Sequence, residues 1–245
     1  MTTLPVFLVD ALPSADGFVL DGPEGRHAAS ARRLRPGEEL VVSDGRGGLA
    51  TCRVEHAERD TVRLTVLRRD HEAAPELTVL LAQALVKGDR GELAVELATE
   101  AGVDAVLPWR AERCIARWED GPRGAKAHAR WQSTAREAAK QARRAWCPEV
   151  TAPMTTAALV ERIGTVAAAL VLHESARLPL PDVALPARGE LLLVVGPEGG
   201  ISDAELAAFA EAGATPVKLG PTVLRASTAG AVALGAIGAV TSRWR

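Results

Sequence analysis

The sequence predicts an α/β protein: a mostly parallel sheet with helices, preceded by a small β-rich domain. Three observations predict it. From Glu76 onward, short apolar runs alternate with helical patterns, the rhythm that builds parallel sheets. Before about residue 73, short apolar runs are instead broken by turn signals, as in a small β domain. The composition, 47% apolar and 24% charged over 245 residues, supplies enough apolar side chains for one large core or two smaller ones.

Taken in order, Gly17 to Leu20 is a strand run closed by Asp21-Gly22-Pro23, and Glu39 to Val42 is one closed by Ser43-Asp44-Gly45. Asp-Gly is a tight-turn dipeptide. Thr61 to Leu67 alternates apolar and polar side chains, as a half-buried strand does. One short helix is expected near Gly25 to Leu34. Arg68 to Pro75 is polar and ends in proline, so it reads as a linker, with the domains dividing at 73/74.

Beyond the linker, Leu77 to Leu85 is an apolar strand. Glu92 to Ala101 is a helix whose Leu93, Leu97 and Ala101 fall four apart, with Gly102 as a left-handed C-cap. Val103 to Trp109 is the next strand. Lys126 to Ala145 is a long basic helix stopping before Pro148. Thr165 to Leu172 and Glu190 to Val195 are apolar strands. Ser202-Asp203-Ala204-Glu205 is a capping box opening a helix that ends at Gly213. Val217 to Leu219 is a short strand, and Ser227 to about Arg243 a helix rich in Ala and Gly, small enough to lie tightly on another element or a second subunit.

Composition also excludes classes of function. No apolar run is long enough to span a bilayer, and Met1 to Asp10 lacks the features of a secretory leader. Three cysteines, Cys52, Cys114 and Cys147, are widely spaced and odd in number, which fits a reducing cytoplasm rather than a disulfide framework. The five histidines have no ligand spacing, so no metal site is expected. Neither G-x-G-x-x-G nor a P-loop is present. Tyrosine is absent and aromatics are 3%, which argues against an RNA platform of stacked rings.

The net charge of −2 hides a local excess: residues 108–147 hold ten Lys or Arg against four acids, a surplus of six. A second cluster, Arg32, Arg33 and Arg35, follows His27. Such patches suit contact with phosphates, although a solvated Arg-rich helix face gives the same count.

Two loops after strands carry the candidate chemistry. Gly196-Pro197-Glu198-Gly199-Gly200 directly follows an apolar strand, the place where α/β proteins bind ligands. Leu219-Gly220-Pro221-Thr222-Val223-Leu224-Arg225-Ala226-Ser227-Thr228-Ala229 again joins strand to helix, with Ser227 or Thr228 as a ready N-cap and Arg225 able to reach a phosphate or carboxylate. A plain connecting loop is the alternative for each. His173 ends an apolar strand, a position where a lone histidine is commonly structural.

These two loops in order closely resemble the C-terminal signature of the SPOUT methyltransferases, and specifically the RsmE family, which methylates N3 of a uridine in 16S ribosomal RNA. The resemblance runs over nearly the whole chain. Lys87 followed by Glu92 to Val103, Glu112-Arg113-Cys114, and Glu137 to Arg144 leading to Pro148-Glu149-Val150 are similar to further family elements, as are His27 and Arg32 to Arg35 in a PUA-like domain. It implies a PUA-like β-barrel domain at 1–73 that binds RNA and a trefoil-knotted methyltransferase domain at 74–245. It implies a homodimer acting on the small ribosomal subunit, with S-adenosylmethionine held by Leu172, His173, Gly196, Pro197, Gly199, Gly200, Leu219, Gly220, Leu224, Ser227 and Thr228. Glu198 and Arg225 are then the candidate catalytic residues, and Arg32, Arg33, Arg35, Lys87, Arg113, Gln141 and Arg144 the candidate RNA contacts. The chain departs from the family at three places: Thr222 and Ser227 stand where an Arg and a Glu are usual, and Arg143 where a Gly is common, so no role passes to Thr222 or Ser227 from the residues they replace. A related enzyme for another RNA site, or an RNA-binding assembly factor without turnover, are the rival readings.

Overall fold

The structure, a computed structural model, describes residues 4–244. The chain divides into two compact units. One comprises the chain through Ala74 together with Ala139–Cys147; the other comprises Pro75–Ala138 and Pro148–Arg245. A cut at 73/74 alone misses the return of 139–147 to the first unit.

The first unit contains β1 (Val6–Leu8), β2 (Gly17–Leu20), α1 (Gly22–Arg26), β3 (Glu39–Ser43), β4 (Gly48–Ala57) and β5 (Val62–His71). Helix α1 continues as a π-helical turn over His27–Ala31. The sheet order is β1-β3-β4-β5-β2, antiparallel except where β1 runs parallel to β3. Irregularities in the β4–β5 register at Thr51/Cys52 and Val54/His56 bend the ladder, which lets the sheet curl around Phe7, Leu40, Val42, Val54 and Leu64. The Asp44-Gly45 turn forms because Asp44 Oδ1 accepts from the N–H groups of Arg46 and Gly48. Strand β5 runs on to His71, so half of the expected linker is strand: Arg68 to His71 pair with Thr51 to Gly48 of β4.

The second unit contains β6 (Leu77–Ala84), α2 (Arg90–Glu100), β7 (Ala105–Arg110), α3 (Pro122–Gln141, whose last residues join the first unit), β8 (Glu149–Val150), β9 (Met154–Thr155), α4 (Thr156–Ile163), β10 (Ala168–Leu172), β11 (Gly189–Val195), α5 (Asp203–Glu211), β12 (Thr215–Val217) and α6 (Ala226–Val240). All pairings in its sheet are parallel, in the order β12-β10-β11-β6-β7-β8, with β9 also on β7. The central strands are buried on both faces, which explains their unbroken apolar runs.

Several expectations are corrected in detail. Helix α2 spans Arg90–Glu100 in place of the expected Glu92 to Ala101; Leu93 is 41% exposed, and Gly91, Ala94, Val95 and Ala98 are buried. Helix α3 begins at Pro122 and ends at Gln141, four residues before Ala145, because Arg143 takes a left-handed backbone with φ 56°. Helix α4 and strands β1, β4, β8 and β9 carry no signal that was read in the sequence. The small residues of α6 serve contact within the chain: a Cβ on Gly230 would lie 3.0 Å from Leu81 Cδ2. At the N-terminal end of the sheet, Arg243 pairs with Asp104 at 2.7 Å and donates to Leu77 O, which ties the end of the chain under β6.

Candidate functional site

A cleft of about 660 Å3 opens at the C-terminal ends of β6, β10, β11 and β12, wholly within the second unit. Parallel topology places it there: every strand delivers its following loop to the same edge. Strand β11 ends at Val195 and hands the chain to Gly196–Gly200. Strand β12 ends at Val217 and hands it to Lys218–Arg225.

The first loop is shaped by what glycine allows. A Cβ on Gly196 would lie 2.6 Å from Ile201 Cγ1, inside contact distance. Gly200 has φ 75°, a left-handed backbone that favours glycine, and its N–H donates to Pro197 O at 2.9 Å to close the turn. Two neighbouring loops hold it. The Lys87 backbone N–H donates to Glu198 Oε1 at 3.3 Å, and Arg113 Nη1 donates to Gly199 O at 3.3 Å. Glu198 itself is exposed to the cleft.

Behind this loop stands a buried carboxylate. Glu205 is 5% exposed, and its oxygens accept from the N–H of Glu112 at 2.8 Å, Thr156 Oγ1 at 2.9 Å and both N–H and Oγ of Ser202 at 3.2 Å. The capping box expected from the sequence is present, with Ser202 Oγ accepting from Glu205 N–H. The same Glu205 fixes the Glu112-Arg113-Cys114 turn, so one residue ties α5, α4 and the β7–α3 loop to the cleft floor. Burial pushes the neighbouring Cys114 thiol up, opposed by backbone hydrogen bonds and reinforced by the Glu205 and Glu198 carboxylates.

The second loop enters α6. The N-cap is Arg225, with no side-chain cap, in place of the expected Ser227 or Thr228. Thr228 Oγ1 instead donates back to Arg225 O at 3.2 Å. Arg225 O accepts from the N–H of Thr228 and of Ala229 at 3.0 Å, so the first amides without a side-chain cap are those of Ala226 and the buried Ser227, two residues that line the cleft. On the third side, His173 directly follows β10. Its Nδ1 accepts from the Ser175 N–H at 3.3 Å and lies 2.8 Å from Ser175 Oγ.

The cleft therefore gathers Leu172, His173, Gly196, Pro197, Gly199, Gly200, Leu219, Gly220, Leu224 and Ser227, together with Glu198, Arg225 and Arg113. Thr228 is turned away along its helix, and Lys87 meets the site through its backbone. Arg32 and Gln141 lie in the first unit, in a different cleft. Arg33, also in that unit, is exposed with φ 55°, and Arg35 and Arg144 line neither cleft. Missed by sequence reasoning were Arg90, Glu174, Asp203 and Lys218, all lining the first cleft. Each stands within a few residues of a strand's C-terminal end or at the start of a helix, the signal by which they could have been found.

The residues fit a nucleoside-sized cofactor. Val86, Leu172, Val195, Ile201 and Leu224 supply apolar wall, glycine backbone permits close approach, and uncapped amides supply donors.

Comparison with known proteins agrees with this geometry. Residues 73–238 match the RNA methyltransferase domain family, and residues 20–67 match the RNA methyltransferase PUA domain. A ribosomal RNA small subunit methyltransferase E of Mycobacterium bovis is 53% identical, covering 98% of this chain and 93% of its own. Its namesake in Bacillus subtilis is 30% identical, covering 92% of this chain and 91% of its own. A crystal structure of a ribosomal RNA small subunit methyltransferase E from Neisseria gonorrhoeae bound to S-adenosyl methionine superposes with a TM-score of 0.85 at 28% identity, covering 98% of each chain. The chain belongs to the ribosomal RNA small subunit methyltransferase E family.

Proposed function

We propose that this chain transfers a methyl group from S-adenosylmethionine to N3 of a uridine in the 16S RNA of the small ribosomal subunit, in the cytoplasm. The observation that carries the reading is the convergence of two glycine- and proline-bearing loops and the uncapped start of α6 on one cleft that displays a carboxylate and a guanidinium. The bound cofactor would supply an electrophilic methyl on a sulfonium sulfur. The backbone of Gly196–Gly200 and Leu219–Leu224, with Leu172, His173 and Ser227, would hold it and align it with the base. That alignment is the larger part of the catalysis. Uridine N3 carries a proton that has to leave. Glu198 accepts it through a carboxylate whose Oε1 is already steadied by Lys87 N–H. Arg225 faces the charge that grows on the uracil oxygens. N3 is hidden in a base pair, so the enzyme takes an unpaired or extruded uridine. Arg113 at the cleft and Arg32, Arg33, Arg35, Gln141 and Arg144 elsewhere meet the RNA.

The same reading includes a trefoil-knotted second domain and a homodimer. Helices α2 and α6 pack on each other and leave Leu93, Val232 and Val240 exposed, apolar surface that a second copy would cover. Light scattering that finds a monomer at micromolar concentration removes the dimer.

The test of the activity is transfer of labelled methyl to small subunits that lack the modification, beside naked 16S RNA, with the product nucleoside identified. Label in 3-methyluridine is expected, with a preference for assembled subunits. Label in another nucleoside moves the target, and cofactor binding without transfer to either substrate favours an assembly factor. Glu198→Gln is expected to slow transfer about 100-fold or more with cofactor affinity kept. Unchanged turnover removes Glu198 from the proton step.

A further inference from the structure

The first unit contains a second cleft, of about 690 Å3, with Leu4, Val6 and Leu34 in its wall and His27 beside them. Most of its charges are already spoken for. Lys140 Nζ lies 3.0 Å from Glu24 Oε1 in a buried pair. Glu38 accepts from the Arg35 N–H at 2.8 Å, and Glu39 lies 3.4 Å from Arg53. Arg32 and Arg143 remain: both line the cleft, both are exposed, and neither has a carboxylate partner among the described residues.

Arg143 is also strained. Among the described residues, only Arg33 and Arg143 combine a side chain with positive φ, at 55° and 56°. The left-handed turn at 143 closes α3, with Arg143 N–H donating to Lys140 O at 3.1 Å and Arg144 N–H to Ala139 O at 2.9 Å. That turn needs the backbone conformation, which glycine supplies without strain. It does not need a guanidinium. Strain kept at a site that over-determines it points to use of the side chain.

We propose that Arg143, with Arg32, grips a phosphate of an unpaired RNA nucleotide whose base rests against the apolar wall of this cleft. The proposal rests on RNA being the substrate. Two guanidinium groups suit a phosphodiester, to which each can present parallel N–H donors. A lone phosphate would fill a small part of the cleft and leave the apolar wall uncovered. The contact positions the RNA and does not read its sequence.

Arg143→Gly in the full chain separates this role from a structural one, because the two effects have opposite sign. Relief of the left-handed strain should raise the melting temperature by about 2 °C. Affinity for small ribosomal subunits should fall about five- to tenfold, and the salt dependence of log K should lose about one unit of slope. Arg143→Ala keeps the strain and removes the charge, so it should show the same loss of affinity with no gain in melting temperature. Wild-type affinity and slope in Arg143→Gly would overturn the proposal. So would a lowered melting temperature, since the side chain would then be a structural contact. Displacement of bound subunits by millimolar inorganic phosphate would make this a small-anion site and overturn it too. Failure of the wild-type chain to bind S-adenosylmethionine would instead defeat the proposed activity, and the subunit-binding comparison would still be readable.

Discussion

The cleft at the strand ends of the second unit is framed by the backbone course of two loops, Gly196 to Gly200 and Lys218 to Arg225, and by the uncapped turn of α6, set over an apolar wall. The cleft of the first unit is walled by side chains drawn from stretches more than a hundred residues apart, Leu4 to Glu39 and Lys140 to Arg143. A backbone-walled site depends on what its loops cannot contain, and on the groups behind them that hold their course. A side-chain-walled site depends on which charges are left without partners. The two should fail differently when single residues are changed.

The largest effect is expected at Glu205, which no ligand of the cleft needs to touch. Its carboxylate accepts from Glu112, Thr156 and Ser202 while 5% exposed. Glu205→Ala leaves those donors buried without an acceptor, and about 3 kcal/mol of stability should go. Urea unfolding measures it, and calorimetry should show cofactor affinity falling with it as the β7–α3 loop loosens. A loss under about 1 kcal/mol would mean water replaces the carboxylate, and the backbone wall would not depend on its support.

Next in size is Gly196→Ala. The new methyl would stand 2.6 Å from Ile201 Cγ1, and Ile201 is buried, so the loop rather than the isoleucine has to give. Overpacking of this kind costs about 1–3 kcal/mol, read here as a roughly 10- to 100-fold loss of S-adenosylmethionine affinity. Subunit binding through the first unit should stay within about twofold. Equal losses in both would erase the distinction between the clefts.

The same contrast explains what could be read from the sequence. The parallel sheet, the two loops and the capping box were legible because each is local: an apolar run, a turn, then a helix start within a dozen residues. The helical period of α2 was local too, but the face it buries was not legible, since Leu93 and Leu97 outrank Ala94, Val95 and Ala98 in size while the tight packing around Gly91 and Ala98 favours small residues. The second cleft was not legible as a site. Arg32 and Gln141 were picked separately by resemblance, and nothing in spacing says that the end of α3 returns to the first unit. Nor does sequence show that Arg143 is left-handed, although its place where a glycine is common was the available hint.

The smallest effect concerns the two buried thiols, one in each unit. Burial pushes Cys52 up to about 11 from 9.0, with the Arg69 cation opposing. Burial also pushes Cys114 up, but there the nearby Glu205 and Glu198 carboxylates add to the rise. Both folded values lie above the unfolded one. Each neutral thiol therefore contributes its full share of stability below about pH 9, and for Cys52 that share is lost as the pH climbs toward about 11. Stability measured from pH 8 to 11 should sag less in Cys52→Ala than in the wild-type chain. Glu198→Gln should bring the Cys114 titration down slightly, as followed by thiolate absorbance, and leave Cys52 where it is, because only Cys114 feels that carboxylate. A shift of both thiols would mean that removing one charge from the backbone-walled cleft reaches the other unit. A shift of neither would mean that solvent in the open cleft screens Glu198 from the thiol behind it.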